Sequence, residues 1–145
     1  MDFMETYNKF NPHQHGFRKG RSCLSQLLQH RSEILGGLAD GAQVDVIYLD
    51  YAKAFDKVDH GILHHKIKDV GIGGRVGVWL YNFLKNRTQQ VTVDEALSDI
   101  CPVISGVPQG TVLGPLLFLI MVGDIDKGIS LYAHPRSPHM LMTVG

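Results

Sequence analysis

The chain has 145 residues, with 14 Lys and Arg balanced by 14 Asp and Glu, so its formal charge is zero. Hydrophobic residues make up 44% and charged residues 19%, which excludes a disordered chain too polar to offset its conformational entropy by burial. The length fits one domain, and the charge balance excludes a chain-wide basic footprint for nucleic acid.

Met1–Phe10 carries Asp2, Glu5 and Lys9 and no apolar run, so no secretory leader is expected. Cys23 and Cys101 stand in no metal or redox spacing. Reduced thiols, and hence an intracellular place in cytoplasm or nucleus, are the expectation. The neutral total hides a basic stretch. Between Thr6 and Ser32 lie Lys9, Arg18, Lys19, Arg21 and Arg31 and no acid.

From Ser22 the pattern turns helical. Leu24, Leu27, Leu28, Arg31, Leu35 and Leu38 recur at three- and four-residue steps, with Ser22 as N-cap and Gly41 as a stop. Val44–Tyr51 reads as a strand, apolar on both faces and therefore expected to be covered on both sides. Its polar exception is Asp50, at the end. Asp59–Val70 predicts a helix capped by Asp59, and Arg75–Lys85 another, with Val76, Trp79, Leu80, Phe83 and Leu84 as its stripe. Thr88–Val93 and Asp99–Ile104 read as two short strands joined by a turn at Asp94-Glu95. The loop Ser105-Gly106-Val107-Pro108-Gln109-Gly110-Thr111 leads into an apolar helix, Val112–Val122, with Pro115 tolerated in its first turn. That run is about half the roughly 20 residues of a spanning helix, so no membrane partner is expected.

Three segments could carry chemistry, and each alone also has an ordinary structural reading. Asp50 ends a strand where sheet proteins place active-site groups, and a carboxylate there suits Mg²⁺, yet it could equally cap a turn. The Gly-rich loop could turn backbone N–H groups toward phosphate, or simply connect to a core helix. Gly16-Phe17-Arg18-Lys19-Gly20-Arg21-Ser22 could contact phosphate, or be a solvated basic face. Asp56 and Asp59 read as helix caps. His60 and His64, four apart, read as surface histidines, since no third zinc ligand matches their spacing.

In this order the three segments resemble the reverse transcriptase domain of non-long-terminal-repeat (LINE-type) retrotransposons. Gln14–Cys23 is similar to that family's fingers motif, Leu49–Asp56 to its first palm motif, and Ile104–Pro115 to its second. The region between, with Trp79-Leu80 and Phe83–Arg87, is similar to it as well, and the resemblance covers about Asn11 to Asp126. The resemblance implies RNA-templated DNA synthesis from deoxynucleoside triphosphates on a DNA primer, with Mg²⁺ as cofactor. It implies that Asp50 is the first metal-binding aspartate, with Tyr51 beside it on the nucleotide side. Phe55 would be the aromatic gate under the incoming sugar. Arg18 and Lys19 would contact the triphosphate or template backbone, and Pro108, Gln109 and Gly110 would line the nucleotide and template side.

The chain departs from the family where an aromatic-Ala-Asp-Asp turn is expected. The nearest counterpart is Tyr132-Ala133-His134-Pro135, with both aspartates absent. Two-metal phosphoryl transfer needs ligands holding ions about 3.5–4 Å apart. Asp50 alone cannot hold that pair. The expected fold class is α+β: a partial palm with a fingers remnant, its small antiparallel sheet backed by helices. Residues 1–128 are expected to form the partial reverse transcriptase domain and 129–145 an irregular or disordered tail. With the hairpin missing, Val44–Tyr51 is expected to lack a neighbour. The implied function is an RNA-directed DNA polymerase fragment, inactive alone. The alternatives are a non-catalytic module that binds RNA or a protein, and a relic without function.

Overall fold

The computed structural model describes residues 2–125 and the backbone of the strand at 139–144. The elements in chain order are α1 (Asp2–Thr6), α2 (Cys23–Ala39), β1 (Val44–Leu49), α3 (His60–Asp69), α4 (Gly74–Leu84), β2 (Arg87–Gln89), β3 (Thr92–Val93), β4 (Ala96–Leu97), β5 (Cys101–Val103), α5 (Leu113–Val122) and β6 (His139–Val144). The chain is thus mixed, with helices and small sheets. It divides into two units, one of Met1–Lys9 with Lys53–Val122, the other of Phe10–Ala52 with Gly123–Gly145. No helix of the described residues is long and apolar enough to cross a membrane.

The first unit is organised around α3, α4 and α5. Leu63 and Ile67 from α3, Leu80 and Leu84 from α4, and Leu117, Leu119 and Ile120 from α5 are all buried, with Val58 and Val107 beside them. Each such side chain contributes about 1.5–3 kcal/mol of transfer free energy. Both ends of this helix set are stitched to neighbours. Asp59 is the N-cap of α3, its carboxylate accepting from Ile62 N at 2.8 Å. Lys66 Nζ donates to Met121 O near the end of α5, satisfying one of the carbonyls a helix leaves open. At the start of α5 it is an open N–H that is satisfied: Thr111 Oγ1 accepts from Gly114 N at 3.0 Å while donating to Pro108 O.

The two strands expected at Thr88–Val93 and Asp99–Ile104 form, but as two short antiparallel ladders. β2 pairs with β5, and β3 with β4. Between them the Ser98 hydroxyl takes the place of a backbone acceptor. It accepts from Val91 N at 3.0 Å, and Gln90 Nε2 donates to Ser98 O. The turn falls at Asp94 and Glu95 as expected, both at positive φ (45° and 69°), the backbone of a two-residue hairpin turn.

In the second unit α2 begins with a reciprocal cap. Ser25 N donates to the Ser22 hydroxyl, and Ser22 N to the Ser25 hydroxyl. Gly37 of α2 sits against β1. A Cβ there would meet Val44 Cγ2 at 2.8 Å. Only the Val44 and Val46 side of β1 is partly covered. Ile47, Tyr48 and Leu49 are exposed, Tyr48 by 69%. The expectation of a strand covered on both sides is therefore corrected: one helix can shield only one face. The α2 leucines Leu24, Leu27, Leu28, Leu35 and Leu38 are likewise exposed.

The expectation that β1 lacks a neighbour is also corrected. β6 pairs with it in parallel, from Val44↔His139 to Leu49↔Val144. An unpaired strand edge carries backbone groups that seek partners, and 139–144 supplies an extended segment for them. The segment expected to be irregular therefore contains a strand. Tyr132–Pro135 lies outside the described residues.

Candidate functional site

The loop between β1 and α3 and the Gly-rich loop before α5 meet in the first unit. Residues 52–57 form a tight turn, in which Asp56 N and Lys57 N donate to Lys53 O at 3.0 and 3.1 Å. Lys53 holds the positive φ (54°) that this turn needs. The second loop lies along it through backbone bonds. Gly106 N donates to Val58 O at 2.8 Å, and Val107 N to Phe55 O at 2.9 Å. Side chains add two more: Ser105 Oγ donates to Asp56 O at 2.8 Å, and Gln109 Nε2 to Asp56 Oδ1 at 3.0 Å.

Gly106 makes this approach possible. Its φ is +87°, and an added Cβ would lie 2.9 Å from both Cα and O of Asp56. Only a residue without Cβ meets both demands. The Gly106 carbonyl is fixed from two directions, by His60 Nε2 at 2.8 Å and by Arg87 Nη2 at 2.7 Å. Because a carbonyl only accepts, Nε2 of His60 carries the proton. Arg87 also donates through Nε to Leu84 O at 3.0 Å, so it ties α4 and β2 to the loop.

Phe55 is half-buried, its ring stacked on Phe118 of α5 with centroids 4.5 Å apart and planes 18° from parallel. A cleft of about 780 Å³ opens beside the two loops, lined among others by Lys53, Asp56, Arg87, Gln89, Ser105 and Gln109. Two cations and two amides against one carboxylate make a lining rich in donors, suited to an oxyanion-bearing ligand.

The other expected site residues lie in the second unit. Asp50 follows β1 and is exposed, as is Tyr51. Arg18 is half-buried and engaged by its own segment. Its Nη1 donates to Asn11 O at 2.9 Å, and its guanidinium lies 5.2 Å from the Phe10 ring centroid. Lys19 is exposed. His15 is buried, with Nδ1 at 2.7 Å from Ser25 Oγ, while Arg21 Nη1 donates to its Nε2 at 2.9 Å.

Of the expected nucleotide-side residues, Phe55 and Gln109 therefore share one constellation, with Pro108 and Gly110 in the same loop. Asp56 is not a helix cap. It accepts from Gln109 and its carbonyl from Ser105, because the turn at 52–57 ends before α3 begins. Nor is His60 a surface residue: it is buried, and its bond to Gly106 O requires that. Arg87 and His60 are the two functional supports that sequence reasoning missed. Nothing in their spacing signals a shared carbonyl acceptor in a loop so distant in sequence.

A family-type Mg²⁺ pair finds no cradle in the described part of the chain. No group of three or more His, Cys, Asp or Glu converges among the described residues. Asp50 is one hard oxygen donor, and that donor set does not fit a pair of ions.

Comparison with known proteins agrees with the motif order. Residues 1–142 match the family described as reverse transcriptase (RNA-dependent DNA polymerase). The chain is 35% identical over 133 residues to a probable RNA-directed DNA polymerase from transposon X-element of Drosophila melanogaster, 91% of this chain and 14% of that protein. It is 34% identical over 124 residues to the corresponding protein from transposon BS of the same fly, 86% of this chain and 14% of that protein. To the RNA-directed DNA polymerase from mobile element jockey of Drosophila melanogaster it is 34% identical over 112 residues, 77% of this chain and 12% of that protein. The chain thus spans only about one seventh of these relatives' length.

Proposed function

Because the chain belongs to the reverse transcriptase (RNA-dependent DNA polymerase) family, we propose that it is a fragment of a retrotransposon RNA-directed DNA polymerase that keeps the nucleotide-side loops but does not synthesise DNA by itself. The observation that supports this reading most is the apposition of the Phe55–Asp56 turn with the Ser105–Gln109 loop through Gly106. These are the two segments that resemble the family's palm motifs.

On this reading Phe55 sits under the sugar of a deoxynucleotide, with its ring angle held by Phe118. Pro108, Gln109 and Gly110 face the nucleotide and template. Arg18 and Lys19 meet phosphates of the template or triphosphate. Tyr51 flanks the nucleotide, and Asp50 is the single carboxylate of the metal site. The partners are an RNA template, a DNA primer and deoxynucleoside triphosphates, met inside the cell. Palm and fingers make up residues 1–128. Tyr132-Ala133-His134-Pro135 brings no carboxylate to Asp50. The imidazole of His134 suits zinc and not magnesium.

The test is primer extension on an RNA template with Mg²⁺ and all four deoxynucleoside triphosphates. The expected result is no incorporation above a no-protein control. Incorporation that disappears in Asp50→Ala would overturn the proposed inactivity. Incorporation that survives Asp50→Ala would remove Asp50 from the site.

A further inference from the structure

The junction of α3 and α4 holds a cationic cluster that takes no part in the loops described above. His64 and Lys68 stand four apart on α3 and share a helix face, while Tyr81 lies in the last turn of α4 and Lys85 follows as its C-cap. The two faces meet: the His64 and Tyr81 rings are 4.4 Å apart, and Lys85 Nζ lies 4.4 Å from the Tyr81 ring centroid. His65 stands beside them, its ring 6.2 Å from that of His64 and its Nδ1 donating to Gly61 O at 2.8 Å.

Four features of this cluster point outward to an anion. Lys68, Lys85 and His65 are exposed. No carboxylate pairs with any of them among the described residues. Both lysines lie at helix C-termini, where each helix end supplies only about half a negative charge, too little to offset two ammonium groups. The fourth is the state of His64. Its Nδ1 is buried with no hydrogen-bond partner among the described residues, so a second proton there would be unpaired. Burial, then the charges of Lys68, His65 and Lys85, hold its titration below the ordinary imidazole range.

We propose that the α3–α4 face carrying His65, Lys68 and Lys85 around His64 is a docking patch for backbone phosphates of a nucleic-acid strand. This rests on the family reading, which supplies the polyanion, but names a surface separate from the nucleotide-side loops. Charges spread over two helices suit successive phosphates along a strand better than one compact anion. The lysine ammonium groups serve as point-charge donors and carry no base preference, so the patch should position a strand without reading its sequence.

The test measures binding of a fluorescent single-stranded RNA by anisotropy across a salt series. Each phosphate contact at a single strand contributes about 0.7 to the slope of log K against log salt. Lys68→Gln with Lys85→Gln should lower the slope by roughly 1.4 and weaken binding. Lys68→Arg with Lys85→Arg should restore both, and all forms should melt together because the side chains are exposed. Arg18→Gln with Lys19→Gln is the parallel arm. A slope unchanged in the Lys68/Lys85 variant but lowered in the Arg18/Lys19 variant overturns the patch and leaves the family reading standing. Absence of RNA binding in every form, wild type included, also overturns it, while primer extension reports on the family reading separately. Competition by inorganic phosphate as effective as competition by RNA at equal ionic strength overturns strand docking in favour of a simple anion site.

Discussion

Gln109 Nε2 donates to Asp56 Oδ1 across 3.0 Å and so joins two loops that are far apart in the chain. The carboxylate is thereby occupied by a neighbouring loop and not by a helix terminus. Beside it the Ser105 hydroxyl holds the Asp56 carbonyl. The loop that resembles the second palm motif is thus clamped at Ser105, Gly106, Val107 and Gln109, which leaves Pro108 at the bend between the ties.

Both members of the Gln109–Asp56 pair are exposed, so water competes for their bond. A double-mutant cycle of Asp56→Ala and Gln109→Ala, followed by urea unfolding, should give a coupling of about 0.5–1 kcal/mol. A coupling indistinguishable from zero would show that the tie is not maintained in solution.

Gly106→Ala should be far more damaging than its one added carbon suggests. The left-handed backbone costs about 1–2 kcal/mol for a residue with Cβ, and forcing a methyl into a packed contact costs about 1–3 kcal/mol more. A loss of roughly 2–5 kcal/mol in the urea-unfolding free energy is expected. A loss under about 1 kcal/mol would mean that the two loops separate without penalty.

His60 and Arg87 share one acceptor, the Gly106 carbonyl, and their removal should not be additive. His60→Leu or Arg87→Met alone leaves that carbonyl one donor, and the lost bond should cost about 1 kcal/mol beyond the packing effect. The double variant leaves a buried carbonyl unpaired, so its loss should exceed the sum of the singles by about 1–3 kcal/mol. Strict additivity in chemical denaturation would show that water replaces the donors.

His64 makes stability depend on pH with a definite sign. Its folded-state titration lies below the ordinary value of about 6.5, so in the window beneath 6.5 the unfolded chain binds more protons. Stability is then fully present above about pH 6.5 and falls as pH drops through that window. His64→Phe, which keeps a ring against Tyr81, should lose less stability than wild type between about pH 7.5 and pH 5.5. Equal losses in the two proteins would reject this assignment.

Much of the local structure is legible in the sequence. The three- and four-residue spacing of Leu63 and Ile67, or of Leu80 and Leu84, marks α3 and α4, and the caps Ser22 and Asp59 fall where their side chains predict. The turn at Asp94-Glu95 is equally local. These signals are short-range because helix and turn geometry depend on neighbours within about four residues. The same spacing misleads at α2, whose leucines make a helical stripe that remains exposed. Periodicity says which residues share a face, not whether anything covers it.

The order of the motifs is a property of the sequence alone and points to the family, and the absence of a carboxylate pair at Tyr132–Pro135, where the chain departs from it, is equally legible there. What only the tertiary structure decided is the pairing of distant groups. Asp56 could cap a helix or receive Gln109, and His60 could face water or hold the Gly106 carbonyl. β1 could be left unpaired or meet β6. Each choice depends on which backbone and polar groups come within about 3 Å when the chain packs, and a buried donor or acceptor must find its partner wherever the fold brings one.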